Sequence, residues 1–155
     1  MAAGVRKYAT NDKSSIGTTK TLVFSVSRQT IGGAAVDSDF VFEMPVLANL
    51  VDLQVSYDTA GAGGTDIKVD VLDDAVSVLT TKAAFTVTGA AESIVKVGSA
   101  IANTTAPVLD ATKVQIAAGS VVKVAFDVTG TYTTDASNVV VLLKFEEVQD
   151  YNPTA

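Results

Sequence analysis

Apolar and polar side chains alternate with a period of two in one short segment after another from residue 20 onward. The clearest of these segments are 22–26, 40–44, 51–57, 67–71 and 122–128. A period of two places successive side chains on opposite faces of a β-strand, whereas a helix requires a period near 3.6. No helical stretch of useful length competes with this pattern. The sequence therefore predicts an all-β, antiparallel chain whose strands have one dry and one wet face.

The last predicted strand departs from this alternation. Val139 to Leu143 are apolar at five consecutive positions. Such a run is typical of a strand that is covered on both faces. It predicts a place either in the middle of a sandwich or at a contact between subunits, and we take Val140 and Leu142 as candidate subunit-interface residues.

Turn-forming residues separate the predicted strands. They occur at Gly61–Thr65, Asp73–Asp74, Ala117–Ser120, Thr129–Thr131 and Asp135–Asn138. The first joins two long strands, the second is typical of a hairpin turn, and the last two bracket the connection into the final strand. Residues 89–110 contain one short predicted strand around Ile94, and Pro107 breaks any helix there. Eight or nine short strands predict an antiparallel β-sandwich of the jelly-roll type over residues 20–155.

Length and composition limit the class of protein. The 155 residues suffice for one domain with a sizeable core. Hydrophobic residues make up 48% and charged residues 18%, a balance opposite to that of disordered chains. Cysteine is absent, so neither disulfides nor thiolate metal sites hold the fold. No apolar run is long enough to span a membrane, and the first residues lack the apolar segment of a secretory signal, so we expect synthesis in a cytoplasm.

Charge is distributed unevenly along the chain. Residues 1–20 contain four basic and one acidic side chain, and the remainder contains 7 basic and 16 acidic ones. An acidic body argues against a nucleic-acid partner, because phosphates would be repelled. Residues 1–19 are polar and aperiodic, and we predict an extended arm that contacts an acidic protein surface, such as that of a neighbouring copy, through Arg6, Lys7, Tyr8 and Lys13. A frayed terminus is the alternative.

The residues needed for common catalytic chemistry are missing. The chain has no His and no Cys, which are the usual general base and the most nucleophilic side chain. We therefore predict no enzyme, no catalytic residue, no metal and no cofactor. Acidic residues cluster at Asp37/Asp39, Asp70/Asp73/Asp74 and Glu146/Glu147/Asp150. These clusters lack the alternation of a calcium loop and are read as turns or solvated faces. A carboxylate-based glycosidase is disfavoured because no Trp is present to bind sugars.

The glycine-rich segment at Gly61 is read as a hairpin loop and not as a dinucleotide site. Its third glycine is missing, and the residues that follow alternate as a strand. A phosphate-binding loop requires a helix N-terminus at that place.

Several motifs between residues 57 and 145 resemble those of tailed-bacteriophage structural proteins. They are Val69-Asp70-Val71 after a glycine loop, Ser77-Val78-Leu79 after a hairpin, Ile116-Ala-Ala-Gly119, and Asp127-Val128-Thr129-Gly130 before an apolar closing strand. Such modules occur in capsid decoration (cement) proteins and in fibres, usually as trimeric β-sandwiches without a catalytic motif. The chain departs from the commonest form at Asp73-Asp74, where Asn-Gly is usual, and at Ala125-Phe126-Asp127, where Val-Asp-Val is usual.

Two functions follow as hypotheses. The resemblance implies a decoration protein that stabilises the outer surface of a phage capsid as a homotrimer, with the major capsid protein as its partner and no membrane partner. The alternative is a receptor- or carbohydrate-binding module of a tail or head fibre, which would use the loops 58–65, 89–110 and 129–138.

Overall fold

A computed structural model describes residues 20–32, 39–99 and 101–148, and every strand pairing within them is antiparallel. The strands in chain order are β1 (Thr21–Ile31), β2 (Phe40–Glu43), β3 (Ala48–Tyr57), β4 (Ala62–Asp73), β5 (Val76–Ser77), β6 (Leu79–Thr81), β7 (Ala83–Thr86), β8 (Ser93–Lys96), β9 (Thr104–Thr105), β10 (Val108–Leu109), β11 (Gln115–Ile116), β12 (Val121–Thr134) and β13 (Ala136–Glu147). The described residues form no helix, which confirms the predicted all-β class.

The strands form two main sheets. The first sheet has the order β1-β13-β3, and β8 and β11 both pair with β3. The second sheet has the order β2-β12-β4-β7-β9, and β5 also pairs with β4, while β6 and β10 form a separate ribbon. If only β1, β2, β3, β4, β7, β8, β12 and β13 are counted, their order is first-eighth-third-sixth in one sheet and second-seventh-fourth-fifth in the other. That order is a jelly roll, as the sequence predicted.

The core lies between the inner faces of the two sheets. The fully buried side chains that fill it include Leu50, Leu53, Val55, Ile67, Val69, Val71, Phe85, Val124, Leu143 and Phe145. Aromatic pairs join the sheets: Phe24 stacks on Phe42 with ring centroids 4.4 Å apart, and Tyr57 stacks on Phe85 at 4.2 Å. Aromatic pairs of this kind add stability beyond the area that they bury.

A β-bulge in β3 corrects one predicted register. The alternation placed Val51 on the dry face with Leu53, but Leu50 is buried there and Val51 is only half-buried. In the pairing with β13, Lys144 lies opposite Asp52 and Phe145 opposite Leu50, so Val51 is the extra residue. A bulge of this kind shifts the side-chain alternation by one position.

The predicted turn at Thr129–Thr131 is wrong, because β12 continues through it to Thr134. Gly130, with φ +83°, instead marks an irregularity in the pairing of β12 with β4. A glycine in the left-handed region is typical of such a bulge. The predicted connection at Asp135–Asn138 shortens to Asp135 alone, since β13 begins at Ala136 in the other sheet. The predicted hairpin loop at Gly61–Thr65 is also wrong, because β4 begins at Ala62 and lies in the other sheet from β3.

Two other predicted turns are confirmed. Asp73 pairs with Val76, and the two residues between them have φ +45° (Asp74) and +71° (Ala75), as in a type I′ hairpin turn. At Ala117–Ser120, the Ser120 backbone N–H donates to the Ala117 carbonyl at 3.2 Å.

The strand from Val139 to Leu143 is not covered on both faces within the subunit. Val139, Val141 and Leu143 are fully buried, whereas Val140 is half-buried and Leu142 is 36% exposed. The first predicted alternative, a position buried in the middle of the sandwich, is therefore wrong. The reason is that the sandwich has only two layers, so that the inner face of β13 meets the second sheet and its outer face does not.

Candidate interaction surfaces

The outer face of the first sheet carries apolar side chains on β1, β13 and β8, and β3 contributes polar side chains between the last two. Leu142 lies between Ser25 and Gln54 in register, and the next row runs from Ser27 through Val140 and Ser56 to Ile94. Val23 and Ile94 are 61% and 51% exposed. We call the surface formed by Val23, Ile94, Val140 and Leu142 the apolar face.

Serines and three charged side chains surround these residues. The serines of β1 and β3 stand between the apolar side chains, Lys144 lies directly across from Asp52, and Lys96 lies across from Gln54. The Gln54 amide Nε2 donates to the Asp52 carboxylate at 3.0 Å. A sheet face with protruding apolar side chains among polar ones resembles a protein interface. The predicted interface residues Val140 and Leu142 both lie on it.

The predicted arm contacts are not placed by the structure. Arg6, Lys7, Tyr8 and Lys13 all lie outside the described residues.

Parts of the three predicted binding loops come together at one end of the sandwich. The Asp58 N–H donates to the Ser137 carbonyl and the Ser137 N–H to the Thr59 carbonyl, each at 3.0 Å. The Glu92 N–H donates to the Asp58 carbonyl at 2.9 Å. Asp58, Thr59, Glu92 and Ser137 therefore lie together, but Ala62–Thr65 and most of 129–138 are strand, and Val108–Leu109 pair with β6 elsewhere.

The acidic clusters separate into individual roles. Asp39 pairs with Lys123 at 3.1 Å, and Glu147 pairs with Lys20 at 3.7 Å. In the hairpin turn, the Asp74 carboxylate accepts a hydrogen bond from the Val121 N–H at 3.0 Å. Asp37 and Asp150 lie outside the described part of the chain. Within that part, no three His, Cys, Asp or Glu side chains come close enough to hold a metal ion.

Asp70 is more enclosed than its position on a wet strand face predicted. It is only 6% exposed, because its carboxylate is surrounded by partners. Oδ1 accepts hydrogen bonds from the Ser77 hydroxyl at 2.6 Å and from the Val71 N–H at 2.8 Å, and Lys82 Nζ lies 3.2 Å from Oδ2. A buried carboxylate is tolerated when it is paired and hydrogen-bonded in this way.

A polar groove of about 370 Å³ opens on the outer face of the second sheet. Its walls are formed by Asp66, Lys68, Thr81, Lys82, Ala84, Thr105 and Asp127. The row Asp127–Lys68–Ala84–Thr105 is set by the register of β12, β4, β7 and β9. Sequence analysis missed this groove, because it depends on pairing between strands that lie far apart in the chain. The one local signal is Ala84, a small residue at a wet position.

Tyr132 is buried near the groove, between the backbones of Gly32 and Gly64. Its hydroxyl is buried and has no hydrogen-bond partner among the described residues. Burial, and to a lesser degree the negative charge of Asp66, raises the pKa of Tyr132 to about 12. This tyrosine therefore remains neutral throughout the physiological pH range.

Comparison with known proteins gives a limited result. No protein-family model and no curated protein matches the chain. A chain of the cyanophage Pam1 capsid asymmetric unit is 17% identical, with 84% of this chain and 86% of that chain covered and a TM-score of 0.46. A Desmodium yellow mottle tymovirus chain (9% identical, 87% and 93% covered) and a nora virus chain (14% identical, 86% and 65% covered) each have a TM-score of 0.28.

All three similar structures come from viruses or virus capsids. Their TM-scores lie below 0.5, so no property of those proteins is transferred to this one. No helix among the described residues is long and apolar enough to cross a membrane.

Proposed function

We propose that the protein is a non-catalytic structural protein of a virus particle, which decorates and stabilises the outer surface of a phage capsid as a homotrimer. The observation that carries the proposal is the apolar face. Leu142 and Ile94 stand exposed on it, with Ser25, Gln54 and Ser56 as direct neighbours in register. An exposed apolar surface is best explained by a partner that covers it.

The phage context of this proposal rests on sequence motifs. The Val69-Asp70-Val71 strand, the hairpin that follows it and the apolar closing strand resemble phage structural proteins. The jelly-roll strand order supports the same class, since virus capsid proteins use it widely. Jelly rolls also occur in lectins, so the fold alone does not separate decoration from carbohydrate binding.

The arm supplies the second part of the proposal. Residues 1–20 carry an excess of positive charge, while the rest of the chain has 16 acidic side chains against 7 basic ones. A basic arm is attracted to an acidic neighbour, and salt weakens this attraction. Several modest contacts per trimer, repeated around a capsid, bind far more tightly than one contact alone. A protein that binds the assembled shell but not its free subunits also stabilises that shell.

The test is co-sedimentation with undecorated phage capsids across a salt series. Full-length protein should sediment with the particles, and protein that lacks residues 1–19 should sediment poorly while the sandwich still unfolds cooperatively. Arg6→Glu combined with Lys7→Glu should show a milder defect. The matched control reverses the same number of charges at Lys113 and Lys123, which pair at the surface with Asp110 and Asp39.

Two outcomes would contradict the proposal in different ways. Equal occupancy of full-length and truncated protein would show that the arm makes no capsid contact. Absence of the full-length protein from every particle fraction would remove the decoration function itself.

A further inference from the structure

We infer that the polar groove on the outer face of the second sheet binds a neutral saccharide ring. The groove has a volume of about 370 Å³, within the range of small-molecule sites. It is separate from the apolar face, which lies on the other sheet. The inference does not depend on capsid decoration, and its test needs no capsid.

The depression lies above the smallest side chain of its row. Ala84 lies between Lys68 and Thr105 in the register of the second sheet and is only 9% exposed, so the neighbouring side chains largely cover its methyl group. A larger side chain at this position would rise into the groove. Lys68 on one side and Lys82 on the other, 39% and 44% exposed, form its walls.

The charges of the groove decide the class of ligand. Two lysines, Lys68 and Lys82, face two aspartates, Asp66 and Asp127, so the lining has no net charge. Lys68 is paired with Asp66 at 3.5 Å and Lys82 with the enclosed Asp70 carboxylate at 3.2 Å, so both lysine charges are balanced by a neighbouring carboxylate. A site for phosphate or sulfate needs an excess of positive charge or aligned backbone N–H groups. A neutral ligand with many hydroxyls has no such requirement.

The lining offers the groups that hydroxyls use. Asp127 is exposed and forms no ion pair within the described residues, although it lies opposite Lys68 in register, so its carboxylate is available to accept hydrogen bonds. The Thr81 and Thr105 hydroxyls donate or accept, and Lys68 donates. The aliphatic stems of Lys68 and Lys82, which are partly exposed, provide the apolar contact for the C–H face of a sugar ring. With no aromatic side chain in the lining, we expect affinity of roughly millimolar dissociation constant.

The experiment is a titration of the full-length, ¹⁵N-labelled protein with methyl α-glucoside, methyl α-mannoside and methyl β-galactoside, followed by backbone amide chemical shifts. At least one of these probes should produce saturable shifts confined to the strands around Lys68, Ala84 and Asp127. Glucose 6-phosphate serves as the anionic counterpart of the same ring and should bind no more tightly.

Two variants test the location. Ala84→Leu fills the groove and should abolish the shifts, whereas Ala125→Leu adds the same group to the same outer face, in the neighbouring row opposite Asp70, and should leave binding unchanged. If Ala84→Leu fails to fold, the exposed Asp127→Ala gives the same information. Loss of a hydrogen bond to a charged acceptor should weaken binding about tenfold. Asp39→Ala is its matched control.

The inference is overturned by any of three results. The first is the absence of saturable shifts with all three glycosides. The second is a shift pattern that Ala84→Leu or Asp127→Ala leaves unchanged. The third is tighter binding of the phosphorylated sugar, which would identify an anion site. None of these results bears on capsid decoration.

Discussion

Gly64 of β4 lies directly beneath the ring of Tyr132 of β12, so close that a Cβ on Gly64 would overlap the ring carbons. The same ring also approaches Gly32, where an added Cβ would lie 2.9 Å from Cδ1. Tyr132 thus occupies a slot that only glycine backbones leave open. The contact joins the end of β1, the first half of β4 and the second half of β12.

We predict that Gly64→Ala strongly destabilises the protein. Gly64 does not have a positive φ, so the effect comes from the steric overlap with Tyr132 alone. Overpacking in a closed site costs about 1–3 kcal/mol, occasionally more. Chemical denaturation should show this loss of unfolding free energy. In protein that already carries Tyr132→Ala, adding Gly64→Ala should cost much less, measured against Tyr132→Ala alone.

Gly119→Ala is the matched control for this overlap. Gly119 has φ +85° and open space around its Cα, so alanine there meets only the backbone penalty of about 1–2 kcal/mol. This penalty should be independent of Tyr132. Equal losses for Gly64→Ala with and without the Tyr132 ring would contradict the steric explanation.

Tyr132→Phe should leave the protein as stable at neutral pH, or slightly more stable. The Tyr132 hydroxyl is buried without a partner in the described residues, and removing such a group relieves its desolvation cost. Urea unfolding at pH 7 measures the difference. A loss above about 1 kcal/mol would instead indicate that the hydroxyl is hydrogen-bonded, for example through a water molecule.

Tyr132→Phe should also change how the stability of the protein depends on pH above pH 10. In the unfolded chain Tyr132 ionises near pH 10, but in the folded protein burial raises the pKa of Tyr132 to about 12. The unfolded state therefore loses its proton first, and stability decreases as pH rises from 10 through 12, by about 2 kcal/mol at pH 12. Tyr132→Phe should remove this part of the decrease. It should also remove one late transition from the absorbance titration of the tyrosines.

Local alternation predicted the sandwich well because each strand has one buried face, as Ile67, Val69 and Val71 illustrate. It failed where pairing between distant strands decides the outcome. The Val51 bulge is set by β13, and the continuation of β12 through Gly130 is set by β4. Neither partner is visible in the local sequence.

The candidate sites follow the same division. The continuous apolar run identified Val140 and Leu142 as candidate interface residues, and that role stays a prediction. The sequence did not indicate the groove, since it combines residues of five strands, β4, β6, β7, β9 and β12.

The hairpin turn at Asp74-Ala75 offers a stabilising substitution. Ala75 has φ +71°, a conformation that glycine adopts without the steric cost of a Cβ. Ala75→Gly also approaches the Asn-Gly and Asp-Gly pairs that type I′ turns favour. We expect a gain of about 0.5–1 kcal/mol in unfolding free energy.

Ala118→Gly is the control for this turn. Ala118 does not have a positive φ, so glycine there only increases the freedom of the unfolded chain and should reduce stability slightly. Thermal unfolding of both variants should therefore shift in opposite directions. Shifts in the same direction would show that backbone strain at Ala75 does not limit stability.

The last prediction concerns the apolar face. Leu142→Glu places a charge between Ser25 and Gln54 at the centre of this surface. If the face joins subunits, burying an unpaired carboxylate there is costly, and the oligomer should dissociate. The folded monomer should persist, because Leu142 contributes little to the core between the sheets and is 36% exposed. Analytical ultracentrifugation at micromolar concentration should therefore show a trimer for the unchanged protein and a monomer for Leu142→Glu.

Val41→Glu is the matched control for this substitution. Val41 is 61% exposed on the outer face of the second sheet, so the change adds the same charge to a surface outside the proposed interface. It should leave the trimer intact. A trimer that survives Leu142→Glu but dissociates with Val41→Glu would place the subunit contact on the second sheet. A monomer in all three samples would mean that the apolar face is covered only on the capsid, and Leu142→Glu should then abolish co-sedimentation with particles while Val41→Glu does not.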